Sequence, residues 1–307
     1  MTELVVEVNN LSRSFGKTRA LESVDFQASR GKVYGLVGAN GAGKTTLIKH
    51  LLGLLRAKSG TVRIFGEDPV SNPESVLKRI GYLSEERDIP DWMSIDELMR
   101  YTGAYHAAWD QSYADELLET FSLDPGKKIS TLSRGMRAQV ALISAVAHRP
   151  DLLILDEPSS GLDAVVRKDI LNAVVRTISE EGRTVVFSSH LLDEVERLSD
   201  HVTMIHNGRV TLDSSLELIN STHHHSSIRF ENPQTPAPVL EDAVAISGDG
   251  RFCSALHYGP QEAFLASIKQ LGGEIVESRN ATLEEVFVSR VGRGAGDGST
   301  ELEAGEQ

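Results

Sequence analysis

A single cysteine, Cys253, stands in 307 residues. No disulfide within the chain can brace the fold, so stability rests on a packed core, as in proteins of reducing compartments. No apolar run approaches the ~20 residues that a membrane-spanning helix needs. The N-terminal MTELVVEVNN lacks the basic stretch and apolar core of a secretory leader. A basic excess is missing too: 31 Lys and Arg against 44 Asp and Glu give a formal charge of −13, which disfavours non-specific binding to nucleic acid or anionic lipid. The chain is expected in the cytoplasm, held at the cytoplasmic face of the cell membrane only through a partner. Hydrophobic residues at 40% and charged residues at 24% are ordinary for a globular protein. The length suits one large domain plus a smaller one.

What is present centres on Leu36–Thr46, LVGANGAGKTT. Gly38-Ala39-Asn40-Gly41-Ala42-Gly43-Lys44-Thr45 has the G-x-x-x-x-G-K-[ST] spacing of a phosphate-binding loop. Val33–Val37 before it reads as a buried strand and Thr46–Leu55 after it as a helix, the context the motif requires. Glycines without Cβ let backbone N–H groups turn toward phosphate oxygens, and the helix N-terminus adds partial positive charge. Lys44 is placed to reach the β- and γ-phosphates of a nucleotide, and Thr45 to offer its hydroxyl to Mg²⁺. The alternative is a glycine-rich turn capped by Thr45. Phe15, one strand–turn–strand unit upstream, is either a stacking platform for adenine or an aromatic packed at a strand end.

Along the chain, Leu4–Val8 reads as a strand, Asn9–Lys17 as a loop and Ala20–Ala28 as a strand, with Ser29–Lys32 as a hairpin turn. Further strands are expected at Thr61–Phe65 and Arg79–Leu83. A helical insertion covers about residues 86–149, with apolar residues recurring at helical spacing (Ile95, Leu98, Met99; Leu117, Leu118, Phe121). Its aromatics Tyr101, Tyr105 and Trp109 are expected in the core. Met136–Ala147 reads as a helix and the LLIL run Leu152–Leu155 as a strand buried on both faces. A helix over Val165–Glu181, a strand at Thr184–Phe187 and a helix to Leu198 follow. The alternation gives an α/β fold with ligands at the C-terminal strand ends.

The domain division read from the sequence is a nucleotide-binding domain over 1–220, a linker over 221–227, a small α+β domain over 228–290 and a disordered acidic tail over 291–307. His223-His224-His225 is expected to be solvated linker rather than a metal site, because consecutive side chains diverge. From Ser221 on, 13 acidic and 6 basic residues contribute −7 of the net charge, the wrong sign for a nucleic-acid-binding appendage.

Four motifs follow the phosphate loop in order. Leu132-Ser133-Arg134-Gly135-Met136 is similar to the signature LSGGQ, with Arg134-Gly135 for Gly-Gly and Met136 for the glutamine. Leu152–Glu157 resembles a Walker B strand ending in Asp156-Glu157. Ser160-Gly161-Leu162-Asp163 matches a D-loop, and His190, after a strand, a switch histidine. Over residues 4–220 the chain resembles the ATP-binding cassette (ABC) ATPases, P-loop NTPases with a helical subdomain. The resemblance implies two head-to-tail cassettes, as a homodimer or a heterodimer, with two ATP molecules between them. Gly38, Ala39, Asn40, Gly41, Ala42, Gly43, Lys44, Thr45 and Thr46 would hold the phosphates from one cassette. Ser133 and Gly135 would face the γ-phosphate from the other, and Asp163 of the D-loop would also belong to the nucleotide-binding set. Thr45, Asp156 and Glu85 would serve Mg²⁺, Glu157 would polarise the attacking water, and His190 would sense the γ-phosphate.

Glu85 departs from the family pattern, which places glutamine there. Thr282-Leu283-Glu284-Glu285-Val286-Phe287 resembles the segment that ends many bacterial exporter ATPases of the ABC-2 type. The resemblance therefore implies a transport-coupled ATP hydrolase pairing with a separately encoded integral membrane permease. The alternatives are a soluble ABC ATPase acting on ribosomes or DNA, and a weakly hydrolysing regulatory cassette. One copy of each motif, no coiled-coil insertion and the acidic C-terminal half weigh against the soluble alternative.

Overall fold

The computed structural model describes residues 3–179, 182–234 and 243–294, and the chain divides into two units, Met1–Asp213 and Ser214–Gln307. The first runs β1 (Leu4–Phe15), β2 (Thr18–Ser29), β3 (Val33–Val37), α1 (Lys44–Leu51), β4 (Ser59–Ile64), α2 (Pro73–Leu77), β5 (Ile80–Leu83), α3 (Ile95–Tyr105), α4 (Gln111–Thr120), α5 (Arg134–Val146), β6 (Leu152–Asp156), α6 (Ala164–Ser179), β7 (Thr184–Ser189), α7 (Leu192–Leu198), β8 (His201–His206) and β9 (Arg209–Ser215).

Six of these strands form one sheet in the order β5-β6-β7-β3-β8-β9, parallel from β5 through β8. Every residue of β3, β6 and β7 is buried, as strands covered on both faces require. β3 lies between β7 and β8, so the loop leaving its C-terminal end emerges beside the ends of β6 and β7, where Asp156 pairs in register with Ser188. That register positions the site.

A second sheet, β2-β1-β4, is antiparallel. Leu47, Ile48 and Leu51 of α1 share one core with Val6, Val8 and Phe26 of this sheet and with Leu36, Ile154 and Val186 of the larger one. Each such buried side chain contributes roughly 1.5–3 kcal/mol. Two expectations change here. Asn9–Lys17 is mostly strand: register shifts on both sides of Leu11 keep that residue buried while breaking the alternation that marks a strand in sequence. Ser29–Lys32 is no hairpin turn, because β2 and β3 belong to different sheets and the chain crosses between them.

The helical insertion is built on explicit caps. Ser94 and Glu97 form a reciprocal capping box at α3, Asp110 accepts from Tyr113 N at α4, and Ser133 accepts from Met136 N at α5. α3 buries Ile95, Leu98 and Met99. Its aromatics are not core. Tyr101 and Tyr105 sit four residues apart on the opposite face, ring centroids 5.1 Å from each other, with Tyr105 70% exposed. Trp109 is half-buried against the backbone at Gly103 and donates to Gln111 Oε1 at 3.0 Å.

The second unit contains α8 (Leu216–Thr222), β10 (His223–Gln234), β11 (Ala243–Tyr258), α9 (Gln261–Gln270), β12 (Gly273–Asn280) and α10 (Leu283–Gly294). Its antiparallel sheet has the order β11-β10-β12, over a core of Ile228, Phe230, Cys253, Ala255, Phe264 and Ile268. The expected linker at 221–227 is the end of α8 and the start of the central strand. Its polar residues are paired across strands rather than solvated: Ser226 Oγ lies 3.2 Å from His257 Nε2 and 3.0 Å from Ser278 Oγ, and His225 Nε2 lies 2.6 Å from Ser254 Oγ. His223 packs on Tyr258 and His224 on His257. Thr282 and Glu285, from the segment resembling exporter ATPases, cap each other's backbone N–H at α10. The expected tail begins inside α10, and its remainder, residues 295–307, lies outside the described residues. Among the described residues no helix is long and apolar enough to cross a membrane.

Candidate nucleotide site

The loop between β3 and α1 owes its path to glycine. Gly43 has φ +118°, and a Cβ there would sit 2.6 Å from Ala20 O and 2.9 Å from Leu21 Cδ2. A Cβ on Gly38 would collide with Ile205 O. Gly43 occupies the N-cap of α1 and supplies no side-chain cap, which leaves the first helical N–H groups directed toward the loop, the arrangement that binds phosphate. The Nζ of Lys44 donates to Gly38 O at 2.6 Å and Ala39 O at 3.4 Å.

Asn40–Thr46, Glu85 and Glu157 line one cavity of about 240 Å³. Behind Thr45, Asp156 Oδ1 accepts from Ser188 Oγ at 2.7 Å and from Thr45 Oγ1 at 3.3 Å. Glu157 follows with φ +49°, and its N–H donates to the same Ser188 Oγ at 2.9 Å. The Glu157 carboxylate is buried between two cationic or donor groups: Oε1 lies 3.1 Å from Lys44 Nζ, and Oε2 lies 2.7 Å from His190 Nδ1. Lys44, Thr45, Asp156, Glu157 and His190 thus converge although three separate segments carry them. Thr45 Oγ1 and Asp156 Oδ1, with Glu85 on the same cavity, offer the hard oxygen donors that Mg²⁺ takes alongside phosphate.

Gly38, Ala39, Asp156 and His190 adjoin these residues without lining the cavity, and Ser133, Gly135, Asp163 and Phe15 lie outside the lining as well. Ser133 is exposed at the start of α5, and Gly135 is buried where a Cβ would come 2.8 Å from Val166 Cγ2. Asp163 caps α6, accepting from Val165 N at 3.0 Å and Val166 N at 3.1 Å. Arg134, the departure in the signature, donates to Ser160 O at 3.3 Å, so signature and D-loop segments are packed together. Phe15 ends β1 with its ring half-exposed and the Arg13 guanidinium 4.8 Å from its centroid.

Three contributors escape a reading of the motifs alone. Ser188 joins Asp156 to the Glu157 backbone. Glu194, buried on α7, accepts from Ser159 Oγ at 2.6 Å and Ser189 Oγ at 3.4 Å and faces Arg167 Nε at 3.4 Å. Burial pushes its carboxyl pKa up, against the pull of Ser159 and Arg167. Arg87, buried after β5, donates to two carbonyls just beyond Glu157.

The sequence profile of the ABC transporter family matches residues 21–160, and a profile described as "AAA domain, putative AbiEii toxin, Type IV TA system" matches residues 126–195. The daunorubicin/doxorubicin resistance ATP-binding protein DrrA of Streptomyces peucetius is 32% identical over 98% of this chain and 97% of its own length. The bacitracin transport ATP-binding protein BcrA of Bacillus licheniformis is 29% identical over 94% of this chain and 98% of its own. Among solved structures, the ATP-binding subunit of an ABC transporter superposes with TM-score 0.66 and 29% identity over 71% of this chain and 92% of that one. The dimeric bacterial cassette MJ0796, at 20% identity and TM-score 0.62 over 69% and 98% of the two chains, shares the fold. With the phosphate loop, Asp156, Glu157 and His190 assembled on this sheet and a relative matched along nearly its whole length, the chain belongs to the ATP-binding proteins of ABC transporters.

Proposed function

We propose that this chain is the ATP-hydrolysing subunit of an ABC-2 type exporter and drives transport through a separately encoded membrane permease. The observation that carries this reading is the placement of Glu157 between Lys44 and His190, beside the Thr45–Asp156 pair. Lys44 and the loop N–H groups hold the β- and γ-phosphates of ATP. Mg²⁺, held by Thr45 and Asp156 with Glu85 nearby, supplies charge neutralisation on the phosphates when bound. Glu157 Oε2 accepts a hydrogen bond from the attacking water and orients it in line with the γ-phosphate, while His190, within hydrogen-bond reach of that carboxylate, sets its direction. Ser188, on the neighbouring strand, donates to the Asp156 carboxylate and accepts from the Glu157 backbone N–H.

Ser133 and Gly135, away from this cavity in their own chain, complete the site of a second cassette, so hydrolysis proceeds in a head-to-tail dimer. Adenine stacking falls to Phe15. The whole-length likeness to proteins named for daunorubicin resistance and bacitracin transport supports export as the direction. In this reading the chain works in the cytoplasm at the inner face of the membrane. The test is a pull-down of the tagged chain from detergent-solubilised native membranes with ATP present. A co-purifying multi-span membrane protein is the expected result; ribosomes or DNA-bound proteins with no membrane protein would replace the reading with the soluble one.

A further inference from the structure

The segment that leaves Glu157 is held in an expensive way. Arg87 is 3% exposed, and its Nη2 donates to Pro158 O at 3.1 Å and to Ser160 O at 2.9 Å. Both acceptors are neutral carbonyl oxygens, and the Nε of Arg87 is buried without a hydrogen-bond partner. A buried cation held this way costs more than an apolar side chain of the same size. The backbone adds a second cost, since Arg87 has φ +52°, held by its N–H donating to Ser84 O at 3.2 Å and Ser84 Oγ at 3.1 Å. Burial and the nearby charge of Arg134 lower the guanidinium pKa, and Glu85 opposes them.

What these costs secure is the turn at Glu157. That residue is itself in the left-handed region, and Ser160 N closes the turn onto Glu157 O at 3.1 Å. Arg87 grips the carbonyls of Pro158 and Ser160 from one side, and Glu194 takes the Ser159 hydroxyl. We propose that Arg87 is a positioning residue for ATP hydrolysis: its guanidinium fixes Pro158–Ser160 and thereby aims the Glu157 carboxylate. Arg87 touches neither the phosphate loop cavity nor Lys44, so its effect falls on the chemical step and not on nucleotide affinity. The same side chain forms part of the wall of a cleft of about 470 Å³, with Tyr82, Thr102, His106 and His148.

The inference rests on the hydrolytic reading above, and the assay separates the two. Full-length wild type, Arg87→Met and Arg87→Lys are compared for kcat and KM with Mg·ATP and for ATP affinity by equilibrium titration. Arg87→Met keeps bulk without charge, and Arg87→Lys restores a cation with several N–H donors. Arg87→Met is expected to lose roughly 10–100-fold in kcat with KM and ATP affinity within about twofold, and Arg87→Lys to recover most of the loss. Wild-type kcat in Arg87→Met, a loss seen mainly in KM, or no recovery in Arg87→Lys would overturn the inference. A wild type without ATPase activity would instead overturn the hydrolytic reading.

Discussion

The Nζ of Lys44 and the Oε1 of Glu157 lie 3.1 Å apart in one buried ion pair, between the two groups to which the proposed mechanism gives phosphate binding and water polarisation. Each group neutralises the other in a largely buried position on the cavity wall, so in the proposed mechanism ATP binding and the release of Glu157 are one event. Phosphate oxygens entering the loop would take over Lys44 and leave Glu157 to His190 and the attacking water.

Lys44→Ala removes the charge that the β- and γ-phosphates need and leaves Glu157 with His190 alone. ATP affinity, measured by titration of a fluorescent analogue, is expected to fall at least about tenfold, the effect of one charge-assisted contact. Unchanged affinity would take Lys44 out of the site.

Much of the candidate site was legible because phosphate-binding chemistry demands fixed residue types at fixed local spacing. The glycines of the loop, Lys44-Thr45, Asp156-Glu157 and His190 each stand in such a frame. Arg87, Ser188 and Glu194 were not legible, since their roles depend on neighbours across the sheet and not in the chain. The fold shows the same divide. Buried runs such as Leu152–Leu155 announce themselves, whereas the polar His223–Ser227 becomes a central strand only because Ser254, His257 and Ser278 supply partners. Asn207-Gly208, both at positive φ, is a two-residue hairpin turn between β8 and β9, and Asn-Gly between apolar runs is the strongest local sign of such a turn.

Gly43→Ala places a methyl group against Ala20 O at a φ that L residues rarely adopt. The loop must shift, so the variant is expected to lose more than about 1 kcal/mol in stability together with ATP affinity. Denaturant titration and nucleotide titration check the two losses.

Glu194 gives a pH signature. Burial raises its folded pKa above the usual 4.5, so between the two values the folded chain holds a proton that the unfolded chain releases. Its contribution to stability is full below pH 4.5 and is lost as pH rises through the folded pKa. Glu194→Gln lacks this dependence and should gain stability relative to wild type across that window, in urea melts at a series of pH values. A pH-independent difference would contradict the assignment.

His148 has the opposite sign. Burial first, then the charge of His106 stacked 3.9 Å away, push its pKa down to about 4 from the usual 6.5. The unfolded chain takes up the proton first, so stability is full above pH 6.5 and declines as pH falls toward 4, by on the order of 3 kcal/mol. His148→Gln should flatten that decline in the same urea melts, and an unaltered acid slope would rule His148 out as its source.

The most direct test of the central claim is sedimentation velocity of full-length Glu157→Gln with and without ATP, alongside its ATPase rate. The substitution keeps the shape of the side chain and removes the carboxylate that orients water. Turnover is expected to fall roughly 10²–10⁴-fold, with ATP retained and the protein sedimenting as a dimer only when ATP is present. A variant that hydrolyses ATP at the wild-type rate, or that stays monomeric with ATP bound, would contradict the assignment of Glu157 and the composite site built around it.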